Sequence, residues 1–519
     1  MLNYNIDFCI QIVKEKQMKK LLISLTSIVL LLSSAITAFA ASQQDSLQKS
    51  ISYAFRAFTK SSSAMTAGII FCIVVLLILI FSKKLKKLLN GSSASAMTNT
   101  FILFFSVFGI ATLALAFETD GVTWSNLMHH PVNAESNYTQ FEDYIKNLQN
   151  AGSQNFHLSA ETNTPFSMLI FFILAQFLPN KLILNTSTIG TIAILQNQTF
   201  MFLYLILAML IVVLMYRMNR YVLRRNSLNI RDEVVSFLLV VSYPAIFCIE
   251  KGNFMALSLV LSMLFIIFNE SEKTINRELS LVALAASAAI TPCTIIFAAI
   301  LFAQKSKDAI IKLVRTLTYF IILFVTPSIF TGFDNLATYI KSFVSVSANG
   351  YIAGNTSIVN LLYYFGISSP AALYAIFIIT EIIAVFAMIR LPSMWQKTAA
   401  AAYIMLNIFS VADTTVAIFI FIPFVFLLAE KKHTAINWLY LGAFALIITP
   451  FPEWYLNDTH RFTMFLATVN VETIYNANNL ISLAAVQLLF VLITCQSVAS
   501  LIKKGKNKAI QPAEAAEAA

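Results

Sequence analysis

Charge is scarce in this chain. Only 12% of its 519 residues are Asp, Glu, Lys or Arg, against 58% hydrophobic, whereas soluble domains carry about a quarter charged residues. That deficit excludes a solvated globular domain as the main body. The strict apolar–polar alternation of an outer-membrane barrel strand is missing too, which removes a closed sheet. Cysteine is equally sparse. Cys72, Cys248, Cys293 and Cys495 lie within apolar segments and Cys9 in the N-terminal leader, so neither a disulfide framework nor a metal-ligand spacing can be built from them.

What is abundant is apolar sequence in long runs. A helix needs about 20 such residues to cross the hydrocarbon of a bilayer, and in lipid every backbone polar group must be satisfied within the segment. The chain therefore reads as all-α, a polytopic transmembrane helical bundle of about 11–13 spans plus re-entrant pieces. Its net charge of +10 does not point to nucleic acid. The Lys and Arg residues stand in short clusters beside apolar runs, where they read as cytoplasmic topology signals.

Residues 18–40 have a basic start, an apolar stretch and an Ala38-Phe39-Ala40 ending, the form of a secretory signal. We read 1–40 as a signal-peptide-like leader, with Met18 as an alternative start to Met1. An extra membrane helix and a basic cytoplasmic loop come next over 41–98, the loop carrying Lys83, Lys84, Lys86 and Lys87. The membrane domain spans 99–502, and 503–519 forms a polar cytoplasmic tail without order. Further inside points fall at Arg217 to Arg225, Lys273 and Arg277, Lys305 to Arg315, Arg390 to Lys397, and Lys431-Lys432. This alternation leaves three outer loops, 118–164, 332–370 and 452–478, and puts the C-terminus inside.

Two segments do not fit as simple spans. Residues 165–183 are expected to be re-entrant or interfacial. Residues 279–302 lie between two inside clusters and must form a broken hairpin, interrupted at Thr291-Pro292 because proline lacks the amide hydrogen that the ladder needs. Non-helical backbone at that depth is tolerated in protein or along a wet cavity, so the break is expected to mark a cavity open to the outside.

Polar residues within or beside the spans are the next candidates. Glu250 and Lys251 stand where two apolar runs meet, read either as a site or as a tight turn at Gly252. Asp413 is read the same way, as an outer turn or a cavity-facing group. Glu381, mid-span, is expected to bond a neighbouring helix. The first outer loop offers Glu118, Asp120, Glu135, Glu142, Asp143 and Glu161 with His129, His130 and His157. Their spacing does not choose among them and gives no support to a metal site.

Four stretches carry a resemblance. FEDYIKNL at 141–148 is similar to an F-M-D-F-F-N-S-I pattern, with Asp143 on its aspartate. NTPFSML at 163–169 keeps Pro165 of a Y-P-P-L pattern. SYPAIFCIEKGN at 242–253 is similar to S-Y-P-x-x-F-x-x-E-R-G-N throughout, with Lys251 for arginine. AAITPCTIIF at 288–297 keeps Pro292 of a K-x-T-P pattern but has Ala289 or Ile290 in place of the lysine. Together they resemble the GT-C glycosyltransferases, and most closely the bacterial family 87, or DUF2029-type, membrane proteins.

The resemblance implies a GT-C-like fold in the bacterial cytoplasmic membrane. It implies transfer of a sugar from a polyprenyl-phosphate donor to a cell-envelope glycan or glycolipid acceptor on the outer face. Asp143 would be the general base, with Asp120 as the alternative. Glu250, Lys251, Asn253, Lys146 and Pro292 would lie toward the substrates. The donor is a substrate, no resident cofactor is implied, and a divalent metal has no ligand set in the sequence. The partners are membrane lipid, the lipid-linked donor and the acceptor, not nucleic acid. Other readings stay open: a polysaccharide polymerase or ligase, a lipid-linked glycan transporter, or a family member without catalysis.

Overall fold

The computed structural model describes residues 94–118, 141–160, 162–179, 194, 197–223, 230–303, 308–344, 355–364, 369–408, 410, 412, 414–430, 433–449 and 481–500. All belong to one compact unit, 67–459 with 473–519; the other, 1–66 with 460–472, lies outside the described residues. The leader, the basic loop at 83–87, Asp120, Asp413, the loop 452–478 and the tail from 503 also lie outside them.

Among the described residues the architecture is helical, without strands. In chain order the α-helices longer than one turn are α1 (Ala94–Glu118), α2 (Glu142–Gly152), α3 (Pro165–Ala175), α4 (Gln198–Leu223), α5 (Ile230–Val240), α6 (Tyr243–Lys251), α7 (Met255–Phe268), α8 (Thr274–Ile290), α9 (Ala309–Val325), α10 (Phe333–Val344), α11 (Ile358–Tyr364), α12 (Pro370–Arg390), α13 (Met394–Asn407), α14 (Phe421–Leu428), α15 (Ala435–Ile448) and α16 (Ile481–Ser500).

Four of these elements are long and apolar enough to cross a bilayer. They are α4 with 26 residues, α12 with 21, α16 with 20, and α9 with its continuation to Thr331, 23 residues in all. The pair α5 and α6 makes a fifth if it is taken as one span through its 41° bend. Side chains such as Phe202, Leu205, Met209 and Leu210 on α4 are exposed, which suits lipid and not water. The expectation of about 11–13 spans includes the leader and the run at 65–82, which lie outside the described residues, and among the described residues several apolar runs are interrupted. Val241-Ser242 separates α5 from α6, Thr291-Pro292 ends α8, and Val416–Ile420 is a 3-10 turn ahead of α14. The 11 residues of α3 reach only about 16 Å at 1.5 Å per residue, half of a hydrocarbon core.

At the centre lies α13, every residue of which from Trp395 to Asn407 is buried. Its run Ala399 to Ala402 lets α12 and α14 approach closely. Ser393 and Gln396 form a capping box at its start, satisfying amides that the first turn leaves without partners. Glu381 on α12 accepts a 2.7 Å hydrogen bond from Asn407 Nδ2 of α13, the interhelical bond expected of it. From α16, Gln496 Oε1 accepts from Gln396 Nε2 at 3.0 Å and from the Tyr440 hydroxyl at 2.9 Å. One glutamine thus joins α13, α15 and α16.

The break at Thr291-Pro292 is where expected, but it is packed, not open. Thr291, Cys293, Thr294 and Phe297 are buried, and the returning limb Pro292–Ala299 is a 3-10 helix, not a second α-helix. Hydroxyls take the place of cavity water. Ser287 Oγ lies 2.6 Å from Ser258 Oγ, 2.9 Å from Ser262 Oγ and 3.0 Å from Thr294 Oγ1. Thr294 in turn donates to the Thr291 carbonyl at 2.9 Å, and Thr291 Oγ1 reaches Met255 Sδ at 3.2 Å. Side chains from α7 and α8 thereby satisfy the polar groups around the break. Ser287→Ala removes the hub and is expected to destabilise the detergent-solubilised protein by about 1–2 kcal/mol. Faster amide exchange should be confined to 287–299, and a melt identical to the parent's would show that the other hydroxyls suffice.

Candidate functional site

Amphipathic spacing seats α2. Tyr144, Ile145, Leu148 and Ala151 are buried on one side, and Lys146 is exposed on another, a periodicity that lays the helix along an apolar surface. Just before it, Phe141 adopts φ 62° and ψ 24°. The left-handed region costs a residue with a Cβ roughly 1–2 kcal/mol. Ring contact with Tyr204 of α4, at 4.4 Å between centroids, holds Phe141 there. The polar side of α2 is fastened to the segment between α2 and α3: Asn147 Oδ1 accepts from Ser159 Oγ at 3.1 Å and Asn163 Nδ2 at 3.0 Å, and Asn150 Nδ2 donates to Ser159 Oγ at 2.9 Å. Thr164 then caps α3, accepting from the Ser167 amide at 3.1 Å, with Pro165 in the first turn, where no amide hydrogen is needed.

The SYPAIFCIEKGN stretch folds as a capped helix. Ser242 is extended at the N-cap, Pro244 lies in the first turn, and Gly252 closes α6 with φ 65° and ψ 25°, the left-handed ending that favours glycine. Gly252 has a second reason to be glycine. A Cβ there would lie 2.4 Å from Tyr144 Cβ and 2.8 Å from Tyr144 Cγ, inside any tolerable contact. Tyr144 therefore rests directly on the backbone of the α6–α7 turn.

This contact joins stretches that are far apart in sequence. Tyr144 also meets Tyr204 at 5.2 Å, Phe171 of α3 at 5.6 Å and Phe200 at 5.9 Å between ring centroids. Phe254 meets Phe171 at 4.7 Å, and Ile290, at the end of α8, belongs to the same buried cluster. The Tyr204 hydroxyl donates to the Ile249 carbonyl, which also accepts from the Gly252 amide at 3.0 Å. All four stretches singled out in the sequence thus converge on one aromatic cluster beside the main core.

Asp143 is the second residue of α2, immediately before Tyr144; its side chain lies outside the described residues. Lys146 comes three residues later and is exposed. Glu250 and Lys251 end α6. Glu250 is buried, and the Lys251 ammonium, half-exposed, sits 5.8 Å from the centroid of the Phe247 ring. Asn253 Oδ1 accepts from the amide of Met255, the first residue of α7, at 3.2 Å, so its NH2 is the end that donates. Pro292 is placed through Thr291, which touches Met255. A narrow cleft of about 310 Å³, counting its mouth, runs between Tyr144, Tyr204, Gly252 and Asn253 and continues to Leu207 and Ile211.

Burial pushes the Tyr144 hydroxyl well above its ordinary titration range, so it stays protonated and cannot serve as a base. Among the described residues no three His, Cys, Asp or Glu side chains gather as a metal site; His157 is exposed in the 3-10 turn Phe156–Ser159. Sequence reasoning named the polar residues and passed over Tyr144, Tyr204 and Phe141, which position them. The available signal was the aromatic residue beside Asp143; its partner glycine could be paired with it only in three dimensions.

Gly252→Ala is expected to lower thermal stability in detergent and to expose α2 to protease. Gly252→Asn separates the two causes. Asparagine tolerates the left-handed conformation but still carries a Cβ, so it should fare no better than alanine. Near-parental stability for Gly252→Asn would make backbone conformation, not the Tyr144 contact, the reason for glycine.

The chain matches no known family model, no curated protein and no solved structure.

Proposed function

We propose that this protein is a GT-C-like membrane glycosyltransferase of the family 87 type. It moves a sugar from a polyprenyl phosphate to an envelope glycan or glycolipid acceptor, inverting the anomeric centre. One observation carries the reading: Tyr144 seated on Gly252 joins α2, whose first turn holds Asp143, to the Glu250–Asn253 turn. The two most family-like stretches are thereby neighbours, on an apolar cluster suited to a substrate that is itself part lipid.

In this mechanism the acceptor hydroxyl attacks the anomeric carbon as Asp143 takes its proton. The new glycosidic C–O bond forms while the bond from that carbon to the phosphate oxygen breaks. The leaving group is the polyprenyl phosphate, whose charge in a low-dielectric setting calls for a cation and donors. Lys251 supplies the first and the Asn253 NH2 the second. Lys146, on the solvent side of α2, is available to the acceptor or to the phosphate. Glu250 and Pro292 shape the turn and the break beside it. Asp120 is the alternative base. On this reading the protein sits in a bacterial cytoplasmic membrane with its C-terminus inside.

Asp143→Asn removes the base and keeps the size. General-base assistance contributes about 10²–10⁴-fold, so the variant is expected to lose transfer by that factor while inserting normally. The measurement is a profile of envelope glycans and lipid-linked sugars in strains carrying wild type, Asp143→Asn or a deletion. The reading requires the substitution to reproduce the deletion's loss of one sugar. An unchanged profile in Asp143→Asn, with a changed one in Asp120→Asn, moves the base to Asp120. A deletion that leaves every glycan intact removes the transferase reading.

A further inference from the structure

Beyond Thr331 the chain leaves the α9 span at Gly332, where φ 95° and ψ 135° turn it into α10, a helix whose surface divides three ways. Leu336, Tyr339 and Phe343 face the protein: Tyr339 is buried against Phe324 of α9, at 6.2 Å between ring centroids, and lies 6.1 Å from Phe343. A second strip, Phe333, Ala337 and Ile340 at i, i+4 and i+7, is apolar and exposed, Phe333 by 59% and Ile340 by 47%. A third, Asp334, Thr338 and Lys341 at the same spacing, is polar and exposed. The apolar strip continues backward through Ile329 and Phe330, 68% and 72% exposed, to Ile321 and Ile322 on the lipid-facing side of α9.

We propose that α10 is an interfacial helix, seated in the bilayer surface with Phe333, Ala337 and Ile340 in lipid and Asp334, Thr338 and Lys341 in water. The occupant of its apolar face is membrane lipid. The argument is continuity with the exposed face of a membrane span, together with a water-compatible strip one face away. A helix so divided buries its apolar side about 5–10 Å into the headgroup boundary. One acid and one base cancel along its polar strip, so the attachment is apolar and not electrostatic. It holds whether or not the protein is a transferase.

Single tryptophans at Phe333→Trp, Ile340→Trp, Thr338→Trp and Lys341→Trp, in the full chain reconstituted in phosphatidylcholine vesicles, test the division. The parent's four tryptophans are subtracted. Expected is several-fold stronger quenching of the added emission at 333 and 340 by lipid brominated near the top of its chains than by aqueous iodide. At 338 and 341 the order should reverse, with the same pattern in neutral and anionic vesicles. Equal iodide quenching at all four positions would put the helix in water and overturn the proposal. Stronger quenching at 333 and 340 by deeply brominated lipid would overturn it too, by placing α10 within the hydrocarbon core. Each face is probed twice, so one misfolded variant leaves the comparison intact.

Discussion

The missing Cβ at Gly252 decides where a whole helix can lie. The chain turns there with φ 65°, and Tyr144 occupies the space that any other side chain would claim. Because Tyr144 rests on backbone, α2 lies flush against the α6–α7 turn. Phe171, Phe200, Tyr204 and Phe254 then close around it. Aromatic pairs of this kind add about 0.5–1.5 kcal/mol each beyond simple burial. That is enough to hold Phe141 in its left-handed conformation and to keep the residues after it in one place. The cluster is a positioning device: its own groups are apolar or held protonated, and the groups with chemistry to offer sit at its edges.

A second constraint runs through the molecule, that broken backbone in an apolar setting must be answered by protein. At Thr291-Pro292 the answer comes from Ser258, Ser262, Ser287 and Thr294. At the start of α7 it comes from Asn253, and at the start of α11 Asn407 Oδ1 accepts from the Ile358 amide at 2.8 Å. Small hydroxyl and amide side chains supply these bonds without holding helices apart. The expectation of a cavity at the proline rested on backbone groups needing water. Four hydroxyls within bonding reach answer the groups around the break, and a narrow cleft lies instead beside Gly252, between large rings.

Sequence reading succeeded wherever the determinant was local. Gly252 marks the end of α6, Thr291-Pro292 marks the end of α8, and the length of apolar runs marks α4 and α12, because each of these acts through its own backbone. It failed wherever the determinant was a distant neighbour. Nothing near Glu381 announces Asn407, and nothing near Gly252 announces Tyr144. The returning limb after Pro292, which packs against α7, α8 and α13, was legible as a break but not as a 3-10 helix, because nothing in its own sequence announces those neighbours. The site was legible as a set of stretches; their convergence was not, because it is made by aromatic residues that a search for chemistry passes over.

On the proposed reading, the depth of the candidate site in the membrane is set by the same packing. The end of α9, Ser328–Thr331, packs against α3, and α3 packs against α2 through Phe171 and Tyr144. The chain leaves that same end of α9 at Gly332 to form α10. The helix proposed to lie at the bilayer surface and α2, whose first turn holds Asp143, are therefore referred to one fixed point on one span. On the proposed function the site meets a phosphate joined to a hydrocarbon chain and has to hold its polar groups at headgroup depth. Here that depth is set by packed rings and a span terminus, not by surface charge, so neither salt nor lipid charge should shift it.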